Sequence, residues 1–252
     1  MKRPAPARQN EHPALPFSQR EEAVRSIFTY QHVIWDWNGT LFDDLWLCVD
    51  VMNGLLSARE MPLLTLERYR EVFDFPVQNY YQRLGFDFLH ESFEQVGTEF
   101  IRAYELRRLE AGLRAGAAQV VKRLGRAGVG QSVLSAYLQE TLDELIAHFG
   151  LAPHFARLVG LRDHYARGKV ENGVRWIREL GHASDEVLFV GDSRHDHEVA
   201  QAMGIDCVLV DGGHQSRSRL EACGVPVVDD LLALPGMASA CILPKRAEET
   251  AT

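Results

Sequence analysis

The chain has 252 residues, 46% of them apolar and 25% charged, values typical of a globular protein with one large domain or a core carrying a smaller insertion. Its formal charge of −8 argues against a nucleic-acid backbone as partner, and no apolar run approaches the ~18 residues of a membrane span. The four cysteines, Cys48, Cys207, Cys223 and Cys241, form no CxxC pair and sit in or beside apolar segments, the pattern of reduced thiols in a cytoplasmic protein.

In chain order, residues 1–24 carry Pro4, Pro6, Pro13 and Pro16, lack the apolar centre of a signal peptide, and read as a loose tail. From there two textures alternate. Short β-rich apolar runs, "HVIWDW", "GVGQSVLSA", "FARLVG", "EVLFVGD", "DCVLVDGG" and "VPVVDD", have the continuous hydrophobicity of strands covered on both faces. Between them lie helical stripes: Ala117, Val120, Val121 and Leu124; then Leu142, Leu145, Ile146 and Phe149; then Val170, Val174, Ile177 and Leu180. Alternating strand and helix predicts an α/β core with a doubly wound, Rossmann-like parallel sheet, made from 25–44 and 111–240.

Residues 45–110 interrupt that pattern with helix-like sequence alone: "LCVDVMNGLLSARE", "TLERYREVF" with Thr65 as N-cap but no capping box, and "SFEQVGTEFIRAYELRRLEAG" running to Gly112. A helical insertion just after the first strand predicts an all-helical cap over the sheet. The last residues, 241–252, read as a second tail.

Ligands of open α/β sheets bind beyond the carboxyl ends of the strands. The residues there are Asp36-Trp37-Asn38-Gly39-Thr40 after the first strand, Ser135-Ala136 after the second, and Gly191-Asp192-Ser193-Arg194-His195-Asp196 after the fourth, with Lys169 opening a helix between. Each piece alone has an ordinary reading: a turn, a surface serine, a helix N-cap. Together they describe phosphoryl chemistry. A carboxylate, Asp36, can attack phosphorus when the phosphate is neutralised and held in line. Asp36 and Asp192 can bind Mg²⁺, a hard ion that takes carboxylate oxygens. Ser135 can donate to a phosphoryl oxygen, Lys169 can offset its charge, and Gly39 lets backbone N–H groups face the anion.

"DWNGTLFDD", "SVLSA", "GKVENGVRWIREL" and "VGDSRHDHEVAQAMG" resemble, in order, the four motifs of the haloacid dehalogenase superfamily, most closely its phosphoglycolate-phosphatase-like hydrolases with a helical cap. The resemblance covers about residues 30–232. It implies a phosphatase with Asp36 as nucleophile, Lys169 as balancing cation, and a phosphate cradle of Ser135, Ala136, Gly39 and Thr40. It also implies Mg²⁺ on Asp36, the Asn38 main-chain carbonyl and Asp192, with Asp196 in support. The expected partner is a small phosphorylated metabolite, with neither nucleic acid nor membrane, and the chain is expected to act as a monomer or homodimer.

One residue departs from the family's pattern. Most phosphatases of the superfamily carry an acid at the position of Asn38, where it serves as general acid and base. An amide can do neither, and losing such a group lowers a rate by ~10²–10⁴, or roughly 3–5 kcal/mol. Three readings stay open: a phosphatase whose leaving group needs little protonation or that borrows a proton from His195, His197 or His214; a slow phosphotransferase or phosphoenzyme switch; and a non-catalytic module that binds a phosphorylated metabolite. Conversion of Asn38, which precedes Gly39, to a carboxylate by deamidation is a further route to an acid. In the cap, Arg70, Arg83 and Tyr81 are candidates for holding a substrate carboxylate. Asp43 and Asp44 are expected to cap the exit toward the cap, and "HDHE" places His195 and His197 on different helix faces, unsuited to sharing zinc.

Overall fold

A computed structural model describes residues 26–161 and 168–236; the expected tails and Cys241 lie outside them. Six strands form one parallel sheet: β1 (His32–Trp35), β4 (Gly130–Leu138), β5 (Arg157–Leu161), β6 (Val187–Gly191), β7 (Asp206–Val210) and β8 (Val227–Val228), in the order β5-β4-β1-β6-β7-β8. They are the six apolar runs of the sequence. Each side of the sheet is covered because successive side chains point oppositely. Val33 and Trp35 join one apolar cluster with Val120, Leu124, Leu142 and Ile146, whereas Ile34 joins another with Phe189, Val199 and Met203. The first cluster packs α5 (Ala117–Arg126) and α6 (Gln139–His148); the second packs α7 (Lys169–Leu180) and α8 (Arg194–Met203). The doubly wound α/β core is therefore as the alternation predicts.

The connections leave β1 for β4 on one side and later return to β6 on the other. That reversal opens a crevice at the carboxyl end of β1. Trp35 pairs with Val133 and Val190 across the two neighbours, and the Asp36 N–H donates to the Val190 carbonyl at 2.9 Å. Asp36 thus sits at the mouth of the crevice.

Between β1 and β4 stand α1 (Leu45–Ser57), α2 (Leu66–Val72), α3 (Val77–Leu84) and α4 (Phe93–Arg107). Thr65 caps α2 by accepting from the Arg68 N–H, without a box, while Ser92 and Gln95 form a full capping box on α4. The chain enters and leaves this layer through two short antiparallel strands, β2 (Phe42–Asp43) and β3 (Gly112–Leu113).

Three local features differ from the sequence reading. α4 stops at Arg107, because Arg108–Glu110 tighten into a 3₁₀ turn that feeds β3. β4 runs on to Leu138, past Ser135 and Ala136, with a register shift between Leu134 and Leu138. α3 carries no apolar stripe long enough to be read from sequence, and forms around Tyr80 and Tyr81, which are buried by neighbouring elements. Gly85, at φ 101°, ends it in the left-handed conformation that glycine adopts without strain. Among the described residues no helix is long and apolar enough to cross a membrane, and Cys48, Cys207 and Cys223 are free thiols.

Candidate active site

Asp36 leaves β1 with its side chain buried, and its Oδ1 accepts from Lys169 Nζ at 2.5 Å. Lys169 is the first residue of α7, a helix packed against β4 and β5, and reaches the same point from there. Its Nζ also donates to Asp196 Oδ1 at 2.5 Å, so one ammonium bridges two carboxylates. Burial works against the Lys169 charge, but Asp196 and Asp36 more than restore it and hold the amine protonated.

The loop after β6 supplies the remaining acids. Ser193 caps α8 in a box with Asp196, whose Oδ2 accepts from the Asp192 N–H, the Ser193 N–H and the Ser193 hydroxyl. The "GDSRHD" run is therefore a helix cap and a charged site at once. Burial opposes ionisation of Asp196, yet Lys169 and Ser193 keep its carboxyl below the usual range. Asp192 accepts from Thr40 Oγ1 at 2.9 Å and from the His214 N–H at 2.6 Å. Two glycines give it room. A β-carbon on Gly213 would meet Asp192 Oδ2 at 2.1 Å, and one on Gly39, at φ 76°, would meet the same oxygen at 2.4 Å.

Oxygens of Asp36, Asp192 and Asp196 lie within 4.8 Å of one another, all buried. Burial pushes the Asp36 carboxyl up to about 8 against the pull of Lys169, with Asp196 and Asp192 adding to the rise. Asp192 is also raised, again chiefly by burial. Three carboxylates answered by one ammonium leave surplus negative charge on an all-oxygen donor set. That set fits a hard divalent cation such as Mg²⁺.

Ser135 and Ala136 share with Asp36, Asn38, Lys169, Asp192 and Asp196 the lining of one cavity of about 790 Å³ between the sheet edge and the helical layer. Gly39 and Thr40, expected at the phosphate, are not part of that lining; both are buried, and Thr40 acts through its hydrogen bond to Asp192. The candidate carboxylate-binding arginines are engaged elsewhere. Arg70 donates to the Gly213 and Gly212 carbonyls at 3.0 and 2.8 Å, and Arg83 to the Val72 carbonyl and Asp74. Tyr81 does line the cavity.

Asn38 opens onto a polar network that the sequence reading did not anticipate. Its amide donates to Asp44 Oδ2 at 2.9 Å and to Tyr104 Oη at 3.2 Å. Asp44 does not cap α1 with its side chain; it is buried and accepts as well from the Gly39 N–H and the Tyr104 hydroxyl. His214 is also buried, with Nε2 3.2 Å from Asp44 Oδ1 and Nδ1 2.9 Å from the Tyr69 hydroxyl. Burial alone would discharge its imidazole, but Asp44, with Asp192 and Asp36 behind it, lifts it to about 9. Asp43 is exposed, so of two adjacent acids only the second turns inward. The signal for this was the second of the two consecutive acids: a charged residue, Asp44, followed directly by the apolar run of α1. Of the helix pair, His195 lines the cavity and packs against Phe75 with centroids 4.7 Å apart and ring planes tilted by 35°, while His197 does not reach it.

The fold and this cleft together define an α/β protein with a doubly wound parallel sheet, its candidate site at the carboxyl edge beneath a layer of helices. The chain belongs to the haloacid dehalogenase-like hydrolases: the family model matches residues 33–210. Phosphoglycolate phosphatase of Pseudomonas savastanoi pv. phaseolicola is 28% identical over 219 residues, 81% of this chain and 78% of that one. Tyrosine-protein kinase PtkA of Mycobacterium tuberculosis is 26% identical over 200 residues, 79% of this chain and 68% of that one. A crystal structure of a predicted phosphoglycolate phosphatase from Haemophilus somnus superposes with TM-score 0.70 at 16% identity, covering 85% of this chain and all (100%) of that one. The PtkA structure gives TM-score 0.70 at 24% identity, covering 84% and 99%. Within the family the chain resembles the phosphoglycolate-phosphatase-like members.

Proposed function

We propose that the chain hydrolyses a small phosphomonoester by transferring the phosphoryl group to Asp36. The observation that carries this reading is the buried Asp36 carboxylate 2.5 Å from Lys169 Nζ, facing a cavity that Ser135 also lines. Asp36 Oδ2, the oxygen not bonded to Lys169, is the attacking atom. Lys169 holds the carboxylate in place and offsets charge spread over the phosphoryl oxygens, and the Ser135 hydroxyl orients one of them. Asp36, Asp192 and the Asn38 main-chain carbonyl would hold Mg²⁺, with Asp196 in support through Lys169 and the N-terminus of α8. The ion supplies further positive charge against the phosphate. Residues 45–110 act as a cap that excludes water from the site, and we place the protein in the cytoplasm as a monomer or homodimer.

Asp36→Asn tests this directly. Phosphate release that depends on Mg²⁺ is expected to fall below detection in the variant while its thermal unfolding remains cooperative. Release that survives the substitution would remove Asp36 from the chemistry.

A second reading, phosphoryl transfer to an acceptor other than water, is favoured by the amide at Asn38 and by a relative that carries the name of a tyrosine-protein kinase. Without a general base, the phosphoryl group on Asp36 would be long-lived. A burst of product equal to enzyme, then slow turnover, is the signature; a progress curve linear from the start removes this reading.

A further inference from the structure

We propose that the cavity seats the phosphate monoester of a phenol, its ring among the aromatic side chains of the helical layer and its phosphoryl group against Asp36 and Lys169. The proposal names the substrate class for the phosphoryl-transfer reading above and rests on it.

The first observation is the chemistry of the wall. Phe75, Tyr80, Tyr81, Phe93 and Phe100 line the cavity that ends at Asp36. Among the described residues only two lysine or arginine side chains contribute to that lining: Lys169, already bridging Asp36 and Asp196, and Arg102, exposed at the rim. Glu94, Glu105 and Glu198 line it as well. A two-carbon acid phosphate would leave most of the 790 Å³ unfilled, and apart from His214, already paired with Asp44, and Arg102 at the rim, its carboxylate would meet mainly rings and acids. A flat apolar ring instead packs edge-to-face or offset against such a wall. Two polar groups in the wall, Tyr80 Oη and His195 Nε2, are buried without a hydrogen-bond partner among the described residues. They are placed to meet a polar substituent or linking group beyond the ring.

The second observation is the state of the protons beside Asp36. The Asn38 amide and the Tyr104 hydroxyl both donate to Asp44, and His214 has one ring nitrogen on Asp44 and the other on Tyr69. These groups are committed to one another rather than to a leaving oxygen. A phenol, with pKa about 10, departs as its anion far more readily than an alkoxide, whose parent alcohol is nearly as weak an acid as water at ~15.7. In the step proposed, the bond from phosphorus to the phenolic oxygen breaks as the bond from phosphorus to Asp36 Oδ2 forms. The phenolate leaves with the electron pair and takes a proton from water. Water then attacks phosphorus and the bond to Asp36 breaks, returning the carboxylate; one proton of that water stays on the inorganic phosphate and the other goes to solvent, replacing the one the phenolate took.

The test compares kcat/KM, which reports the first transfer and not the hydrolysis common to all substrates, for phenyl phosphate, cyclohexyl phosphate and phosphoglycolate with Mg²⁺ present. Phenyl phosphate is expected to exceed both by roughly 10²–10⁴-fold. Cyclohexyl phosphate matching phenyl phosphate would overturn the leaving-group argument, and phosphoglycolate matching it would overturn the argument from the wall. If no ester is turned over with dependence on Asp36, the phosphatase reading itself fails, and calorimetry on the Asp36→Asn protein decides the seat. Phenyl phosphate binding about tenfold tighter than phosphoglycolate supports it, and equal or reversed affinities overturn it. Free O-phosphotyrosine run beside the same residue in a short peptide separates a small-molecule source of the ring from a protein side chain.

Discussion

Replacing Asn38 by Asp puts a carboxylate where an amide now donates to Asp44 at 2.9 Å. Two ionised carboxylates at about 3 Å and an effective dielectric constant near 20 repel by roughly 5–6 kcal/mol. Protonating one of them at pH 7 instead costs about 4 kcal/mol, three units above a carboxyl pKa near 4. The smaller figure decides, so the pair shares a proton. Asn38 is only half-buried, and screening brings the expected loss of folding stability to about 3 kcal/mol at pH 7. The sign follows from linkage. The shared carboxyl has a folded-state pKa above its unfolded value, so folding takes up a proton, and the penalty shrinks as pH falls, by up to about 1.4 kcal/mol per unit between pH 7 and 5. Urea unfolding of both proteins at pH 5, 6 and 7, taken as a difference, measures it. A penalty that does not change with pH would show that the two side chains do not face each other in the folded protein, and the account of the proton network would fail with it. The same variant carries a protonated carboxyl at the cavity, so its turnover of alkyl phosphates is expected to rise toward the 10²–10⁴-fold that general acid catalysis provides.

Other perturbations probe separate parts of the molecule. Lys169→Met leaves Asp36 and Asp196 buried without their cation and is expected to destabilise by about 3–5 kcal/mol in EDTA, with part recovered in Mg²⁺; melting temperatures equal to wild type would refute the bridge. Gly213→Ala displaces Asp192, and isothermal titration should find Mg²⁺ affinity lowered by about tenfold or more, whereas unchanged affinity would detach Asp192 from the ion. His32 is buried beside Ser132, and burial, with His182 nearby, lowers its pKa to about 4 from an unfolded value of 6.5. The unfolded chain therefore binds the extra proton in that window, and stability falls as pH drops from 6.5 toward 4. His32→Gln should remove up to about 2.5 kcal/mol of the loss between pH 7 and 4.5, which urea titrations of the two proteins would detect.

The amino-acid order alone determined the six-stranded core, because a strand buried on both faces must be apolar along its length and the helices between must carry a stripe. It also placed Asp36 and Asp192 just past a strand and Lys169 at the start of a helix, since those bounds are local, whereas Ser135 lies within β4, at the register shift between Leu134 and Leu138. What it could not convey was which of those residues touch. Asp43 and Asp44 are neighbours of the same type, and only the packing of α1 and α4 sends one to water and the other beneath Asn38. His214 looks like a surface residue until the loop after β7 folds under Tyr69 of the helical layer. Arg70 and Arg83 look like substrate clamps until their carbonyl and carboxylate partners are in place. The division has one physical cause: secondary structure and strand-end position depend on short-range pattern, whereas the partners of a buried polar side chain are fixed by groups distant in the chain. Asn38 meets Tyr104, and Lys169 meets Asp36, only when the sheet and the helices above it have closed.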